Sequence, residues 1–198
     1  MERGLGGEVK MPEILEKIWT AAEFLNFERK ETLKHELIAN EIYLMAGASI
    51  NHNRIVKNLL LILERLFANT EFEAFSSDVR VADLVNNSFC YPDLLVIAGE
   101  PQFVDNEFDT VTNPVLICEV LSKGTESYDK EKKFDVYQAL ESLQEYLIVW
   151  QDKPKARLFR KISQKHWEMW DFDNENENIN LLERFSIKLQ DIYQKVKF

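Results

Sequence analysis

Between residues 50 and 67 the apolar side chains fall at three- and four-residue steps. Ile55, Val56, Leu59, Leu60, Ile62, Leu63, Leu66 and Phe67 therefore line one broad face of a long helix, with Ser49 placed to cap it. A short helix is predicted upstream, where Thr20-Ala-Ala-Glu23 matches a capping box ahead of Phe24 and Leu25. His35 to Met45 reads as two short strands about a turn at Ala39-Asn40. Phe75 to Asp83 alternates and predicts one half-buried strand, Val79 and Val81 facing inward, Asp78 and Arg80 outward.

Two later segments have a different texture. Asp93 to Ile97 and Val115 to Leu121 are nearly continuous apolar runs, the pattern of central strands covered on both faces. Residues 126–140 form an amphipathic helix, with Phe134, Tyr137 and Leu140 at three-residue steps. Glu145 to Trp150, Ala156 to Ile162 and His166 to Phe172 make a meander of strands, the first turn supplied by Asp152-Lys-Pro154. The Asn/Glu run at 174–180 reads as a surface loop before a last strand and helix. Residues 1–10 read as a flexible tail and residues 11–198 as a single α/β domain.

Composition narrows the classes. A chain of 198 residues buries about 70% of its extended surface, so it folds without disulfides or a structural metal. Cys90 and Cys118 stand in unrelated settings without a CxxC partner, which excludes a zinc cage and points to a reducing, cytoplasmic compartment. No apolar run reaches the roughly 20 residues of a membrane helix, and the start has no signal-peptide pattern. The net charge of −10 opposes non-specific binding of polyanions by the whole surface. The charge is uneven, however: residues 123–165 carry ten Lys/Arg against seven Asp/Glu.

Glu119 is the most informative residue. A carboxylate inside an aliphatic central strand costs several kcal/mol unless it is protonated, paired or bound to a cation. Asp93, behind Pro92, heads the other apolar strand, and two carboxylates from neighbouring strands can hold one hard cation such as Mg²⁺. A buried ion pair at Glu119 and a turn cap at Asp93 are the plainer alternatives. Lys133 shares a helical stripe with Asp129 and Tyr137, and could hold a phosphate or orient a water; Lys130 and Lys132 compete with it, and spacing does not choose among them. His52, in the first turn of the long helix, points inward, either as a satisfied half-buried histidine or as a general base. Glu36 could approach from the first hairpin, although its spacing does not show this. Trp150, Trp167 and Trp170 read as core or interface residues, and Asp78 as an ordinary polar-face residue.

Several motifs occur in one order: His35-Glu-Leu-Ile, Met45-Ala-Gly-Ala-Ser-Ile-Asn-His-Asn53, Ser77-Asp-Val-Arg-Val81, Tyr91-Pro-Asp93 and Asn113-Pro-Val-Leu-Ile-Cys-Glu-Val-Leu-Ser122. The helix with Tyr128, Asp129, Lys133, Phe134 and Tyr137 follows, then Ser142 and Glu145-Tyr-Leu147. From about residue 20 to about residue 195 the chain resembles the Uma-two (Uma2) family of the PD-(D/E)XK superfamily. The resemblance implies a restriction-endonuclease-like fold, a mixed sheet flanked by helices with a C-terminal β-meander. It also implies an endonuclease dependent on Mg²⁺ or Mn²⁺, acting on DNA. Asp93 matches the first acid of the superfamily motif and Glu119 the second. The usual lysine two positions on is Leu121, and Lys133 matches the family's helical lysine as a migrated replacement. His52 falls on the family's helix-start histidine. Where the family commonly has Pro-Ser-Thr, this chain has Lys123-Gly-Thr125.

On this reading Asp93, Glu119, Lys133 and His52 are catalytic. Asp93, Glu119 and the Val120 carbonyl hold the metal. The alternative is a catalytically inactive nuclease-like module, homodimeric, that binds DNA or a protein; it is motivated by the acidic charge, Leu121 and the altered turn. Hydrolysis of a small phosphodiester also suits an acidic surface.

Overall fold

The computed structural model describes residues 18–45, 47–76, 78–121 and 132–198. Helix α1 (Ala21–Glu28) starts where the sequence placed it: Thr20 Oγ1 accepts the Glu23 N–H at 3.3 Å, and the Glu23 carboxylate accepts the Thr20 N–H at 3.0 Å. Strands β1 (His35–Ile38) and β2 (Glu41–Leu44) form the predicted hairpin. Ala39 and Asn40 both have positive φ, 49° and 68°, the paired left-handed geometry that suits a two-residue turn to the twist of its strands. In α2 (Ile50–Phe67) the residues Ile55, Leu59, Leu63 and Phe67 form the buried ridge. Ser49 Oγ accepts the His52 N–H at 3.1 Å and caps the helix.

The predicted strand from Phe75 to Asp83 is two strands, β3 (Phe72–Ser76) and β4 (Arg80–Asp83), in different sheets. Its alternation misleads because both faces of β4 are covered. Arg80 is buried, with Nε donating to Thr110 Oγ1 at 2.9 Å and its guanidinium paired with Asp109. Then follow β5 (Ser88–Cys90), β6 (Leu94–Ala98), β7 (Thr110–Val111) and β8 (Pro114–Leu121). With three and two residues, β5 and β7 are too short to carry a readable period. Helix α3 (Phe134–Ala139) is the described end of the helix expected over 126–140; residues 126–131 and the tail at 1–10 lie outside the described residues.

The meander appears as β9 (Glu145–Trp150), β10 (Ala156–Ser163) and β11 (His166–Phe172). The presumed loop at 174–180 instead yields β12 (Asn178–Leu181), paired with β13 (Phe185–Lys188) and followed by α4 (Leu189–Ile192). Asn178 and Asn180 face solvent while Ile179 and Leu181 are fully buried, an alternation hidden within a polar run.

A six-stranded mixed sheet, β11-β10-β9-β8-β6-β3, is the centre of the molecule; β8 and β9 run parallel and its other pairs antiparallel. On one face the α2 ridge, α4 and β12–β13 cover Leu116, Cys118 and Val120. On the other, α3 and the inner side of a five-stranded sheet, β2-β1-β5-β4-β7, cover Ile117 and Leu121. Helix α1 backs that second sheet through Phe24, Leu25, Leu37, Ala82 and Phe89. Glu119 has the parity of Ile117 and Leu121, so it enters the space between the sheets. Leu94 pairs with Cys118, which brings Asp93, one residue before β6, opposite Glu119. Among the described residues no helix is long and apolar enough to cross a membrane.

Candidate active site

Antiparallel pairing of β6 and β8 delivers the two acids to one end of the sheet. Asp93 caps the stretch of β8 that runs past the start of β6: its Oδ2 accepts the Val120 N–H at 2.8 Å, and its own N–H donates to Glu119 Oε2 at 3.3 Å. A strand residue sends its N–H and C=O to the same edge, so the Val120 carbonyl also faces the Asp93 side. The next carbonyl, Leu121, turns the other way and accepts the Gln151 N–H at 3.3 Å.

The first turn of α2 brings His52 Nε2 to 3.0 Å from Asp93 Oδ1, both side chains being largely buried. The inward orientation expected of His52 is thus observed, with an acid as its partner. Ser49, which caps this turn, also hydrogen-bonds Gln151 at the end of β9.

Glu119 is 2% exposed and is met by α3. Its Oε1 accepts from Lys133 Nζ at 3.0 Å and from the Tyr137 hydroxyl at 2.8 Å. Burial first, and the Glu119 charge second, push the Tyr137 hydroxyl well above the usual phenol range, so it stays a donor. The choice between Lys132 and Lys133 is therefore decided: Lys133 is 4% exposed and turned inward, whereas Lys132 lies over the Tyr43 ring at the surface, donating to its hydroxyl at 2.8 Å. Lys130 and Asp129 lie outside the described residues, as does the turn at 123–125.

Lys133 also stands 3.0 Å from Glu36 Oε1, and that oxygen accepts the Tyr91 N–H at 2.8 Å. Glu36 is thus the acid that spacing could not place. Its only local signal is a charged residue in a short strand that is otherwise apolar from Leu37 on. Behind it lies a polar wall the sequence did not suggest. Tyr91 Oη donates to Glu28 Oε1 at 3.1 Å and accepts from Arg80 at 2.6 Å. Burial pushes the Tyr91 hydroxyl up to about 12. Asp109, which pairs with Arg80, is held well below the usual carboxylate range chiefly by its hydrogen bond from Arg29.

Other candidates stay away from this centre. Asp78 is exposed and pairs with Lys34. Trp150 is buried opposite Leu121 and Trp167 packs on Phe134 with ring centroids 5.6 Å apart, whereas Trp170 is exposed on β11 and is no core residue.

Asp93 lies against the His52 imidazole, and Glu119 and Glu36 against the Lys133 ammonium, so among the described residues carboxylates outnumber cationic groups here. Two carboxylates at facing strand positions and a strand-edge carbonyl offer the oxygen donors that a hard divalent cation takes, and the negative excess suits its charge. Among the described residues no three His, Cys, Asp or Glu side chains form a ready-made cage. Water would have to complete the coordination, as Mg²⁺ commonly requires.

The family model described as "Putative restriction endonuclease", Uma2, matches residues 21–192. The chain belongs to the Uma2 family. Among similar curated proteins, "Uncharacterized protein sll1609" of Synechocystis sp. is 42% identical over 163 residues, covering 82% of this chain and 92% of that one. "Uncharacterized protein slr1290" of the same organism is 30% identical over 145 residues, 73% of this chain and 75% of that one. Among solved structures, a protein described as a putative nuclease belonging to DUF820 from Anabaena variabilis superposes with a TM-score of 0.72. It covers 89% of this Uma2 chain and 98% of its own at 14% identity, a likeness of fold. The expected restriction-endonuclease-like architecture is thus met, and this family member is nuclease-like.

Proposed function

We propose that this Uma2 protein is a divalent-metal-dependent endonuclease that hydrolyses phosphodiester bonds in DNA. The observation that carries the reading is the meeting of Asp93 and Glu119 at the end of β6 and β8, with the Lys133 ammonium 3.0 Å from Glu119. Asp93, Glu119 and the Val120 carbonyl would hold Mg²⁺ or Mn²⁺. Such an ion, when bound, lowers the pKa of a coordinated water and neutralises the scissile phosphate.

The chain's own groups have distinct tasks. Lys133 keeps a fixed positive charge beside Glu119, where the phosphate gains negative charge. Tyr137 holds the Glu119 carboxylate in one rotamer through its hydroxyl. His52, through Nε2 on Asp93 Oδ1, orients the first acid and is positioned to pass a proton to or from the site's edge. Leu121, in the position where the superfamily has its strand lysine, packs in the apolar layer; the ammonium comes from α3 instead.

The test is cleavage of supercoiled and single-stranded DNA in Mg²⁺ or Mn²⁺. Wild type should nick, whereas Asp93→Ala and Glu119→Ala should each lose at least about a hundredfold, or about 2.7 kcal/mol of barrier. Equal cutting by all three would reveal a contaminant.

A second reading is an inactive nuclease-like module, homodimeric, that binds DNA or a protein. It is favoured by one observation: Glu119 Oε1 is already satisfied by Lys133 and Tyr137. Calorimetric titration of the folded protein with millimolar Mn²⁺ separates the two, because the module gives no binding heat.

A further inference from the structure

The contacts around Lys133 close into a ring. Lys133 Nζ donates to Glu119 Oε1 at 3.0 Å, and Glu119 Oε2 accepts the Asp93 N–H at 3.3 Å. Asp93 is joined through Pro92 to Tyr91, whose N–H reaches Glu36 Oε1 at 2.8 Å, and that same oxygen is 3.0 Å from Lys133 Nζ. Both arms are stiff. Pro92 has a fixed φ, and the Glu36, Lys133 and Glu119 side chains are at most 5% exposed. Glu36 lies in β1 of the five-stranded sheet and Glu119 in β8 of the six-stranded one, while Tyr91 and Asp93 lie in the segment that joins β5 to β6.

We propose that Glu36 is a positioning residue of the site: it ties the Tyr91–Asp93 segment to the Lys133 ammonium, and so fixes how Lys133 is shared with Glu119. This rests on the nuclease reading above. Without the Glu36 charge, Glu119 is the carboxylate that remains against the ammonium among the described residues. The ammonium then draws Glu119 more strongly to itself and away from a divalent ion. Gln at position 36 keeps an oxygen for the Tyr91 N–H while removing the charge, so Glu36→Gln isolates the electrostatic half of the role.

The experiment is a double-mutant cycle of Glu36→Gln and Lys133→Met, read three ways. In the wild-type background Glu36→Gln should slow single-turnover plasmid nicking about tenfold with KM little changed, and weaken calorimetric Mn²⁺ binding severalfold. In the Lys133→Met background the same substitution should change Mn²⁺ affinity and any residual rate by less than about twofold. Denaturant unfolding of the metal-free proteins supplies the third reading. Glu36→Gln should destabilise the wild type yet stabilise Lys133→Met, where a buried carboxylate has lost its ammonium. An equal effect of Glu36→Gln in both backgrounds overturns the proposal and leaves Glu36 as scaffold. A wild type that neither nicks DNA nor binds Mn²⁺ overturns the nuclease reading and the catalytic role together. The sign reversal in unfolding then reports the Glu36–Lys133 tie by itself.

Discussion

Lys133→Met is the most informative single change to stability. Methionine fills nearly the same volume, so the cavity left is small and the loss is electrostatic. The ammonium stands 3.0 Å from both Glu36 and Glu119, whose side chains are 2% and 3% exposed. Removing one partner of a buried pair typically costs about 3–5 kcal/mol, because the remaining charge is stranded. Here two carboxylates are stranded. At neutral pH one can escape by taking up a proton, which holds the cost near the lower figure, about 3 kcal/mol. For a chain of this length that is a fall in Tm of about 6–12 °C. Urea unfolding and calorimetry, with and without Mn²⁺, measure it. Mn²⁺ should raise the stability of Lys133→Met more than that of wild type, because the cation supplies the missing charge. Adding Glu119→Gln to Lys133→Met should restore more than half of the loss. If Lys133→Met unfolds within about 1 kcal/mol of wild type, the ammonium is not the counter-charge of these acids, and the account of the site is wrong.

Other expectations follow from single contacts. Tyr137→Phe removes a hydroxyl donor 2.8 Å from a buried carboxylate and should cost about 1.5–3 kcal/mol in urea unfolding, with a fall in DNA nicking if Glu119 must be held in one rotamer. Glu145 is buried, accepts from Arg160 at 2.7 Å and from the Leu182 N–H at 2.8 Å, and burial raises it above its ordinary 4.5. Its contribution to stability is therefore complete in acid and declines as pH rises through the folded-state value. Glu145→Gln, which does not titrate, should accordingly look worse against wild type at pH 4 than at pH 7 when unfolding free energies are compared. A gap that widens toward pH 7 contradicts that sign.

The parts of this fold that could be read from the sequence are those whose cause is local. Thr20 and Glu23 cap α1 through contacts three residues apart, and the ridge of α2 repeats every three or four residues. A charged residue inside an aliphatic strand marks Glu119 without reference to anything distant. What failed had a remote cause. Arg80 looked solvent-facing because Asp109 and Tyr91, which pair with it, come from segments 29 and 11 positions away, beside β7 and β5. Strand β12 lay hidden because its alternation is carried by asparagines beside an Asn/Glu run, and only the burial of Ile179 and Leu181 reveals it. Glu36 could not be placed since its partner, Lys133, is 97 positions away and on the other side of an inter-sheet space.

The lysine shows the same limit at the site itself. A lysine at position 121 would share the Glu119 face of the strand, two residues along, which is why a strand motif can encode it locally. In this chain that position is Leu121, 2% exposed and opposite Trp150 in the apolar layer that α3 covers. Charge there would have to be buried among Ile148, Val136 and Tyr137. Helix α3 instead begins beside Glu119, and its entry residue Lys133 brings the ammonium in from the helix side. Lys132 and Lys133 lie about 100° apart around a helix, so one turns in and the other out. Which one turns in depends on how the helix is rotated against the sheet, set by Val136 and Tyr137 docking on the sheet face. A site built this way brings acid and ammonium together without a linear motif, and only the packing of α3 restores the pairing to view.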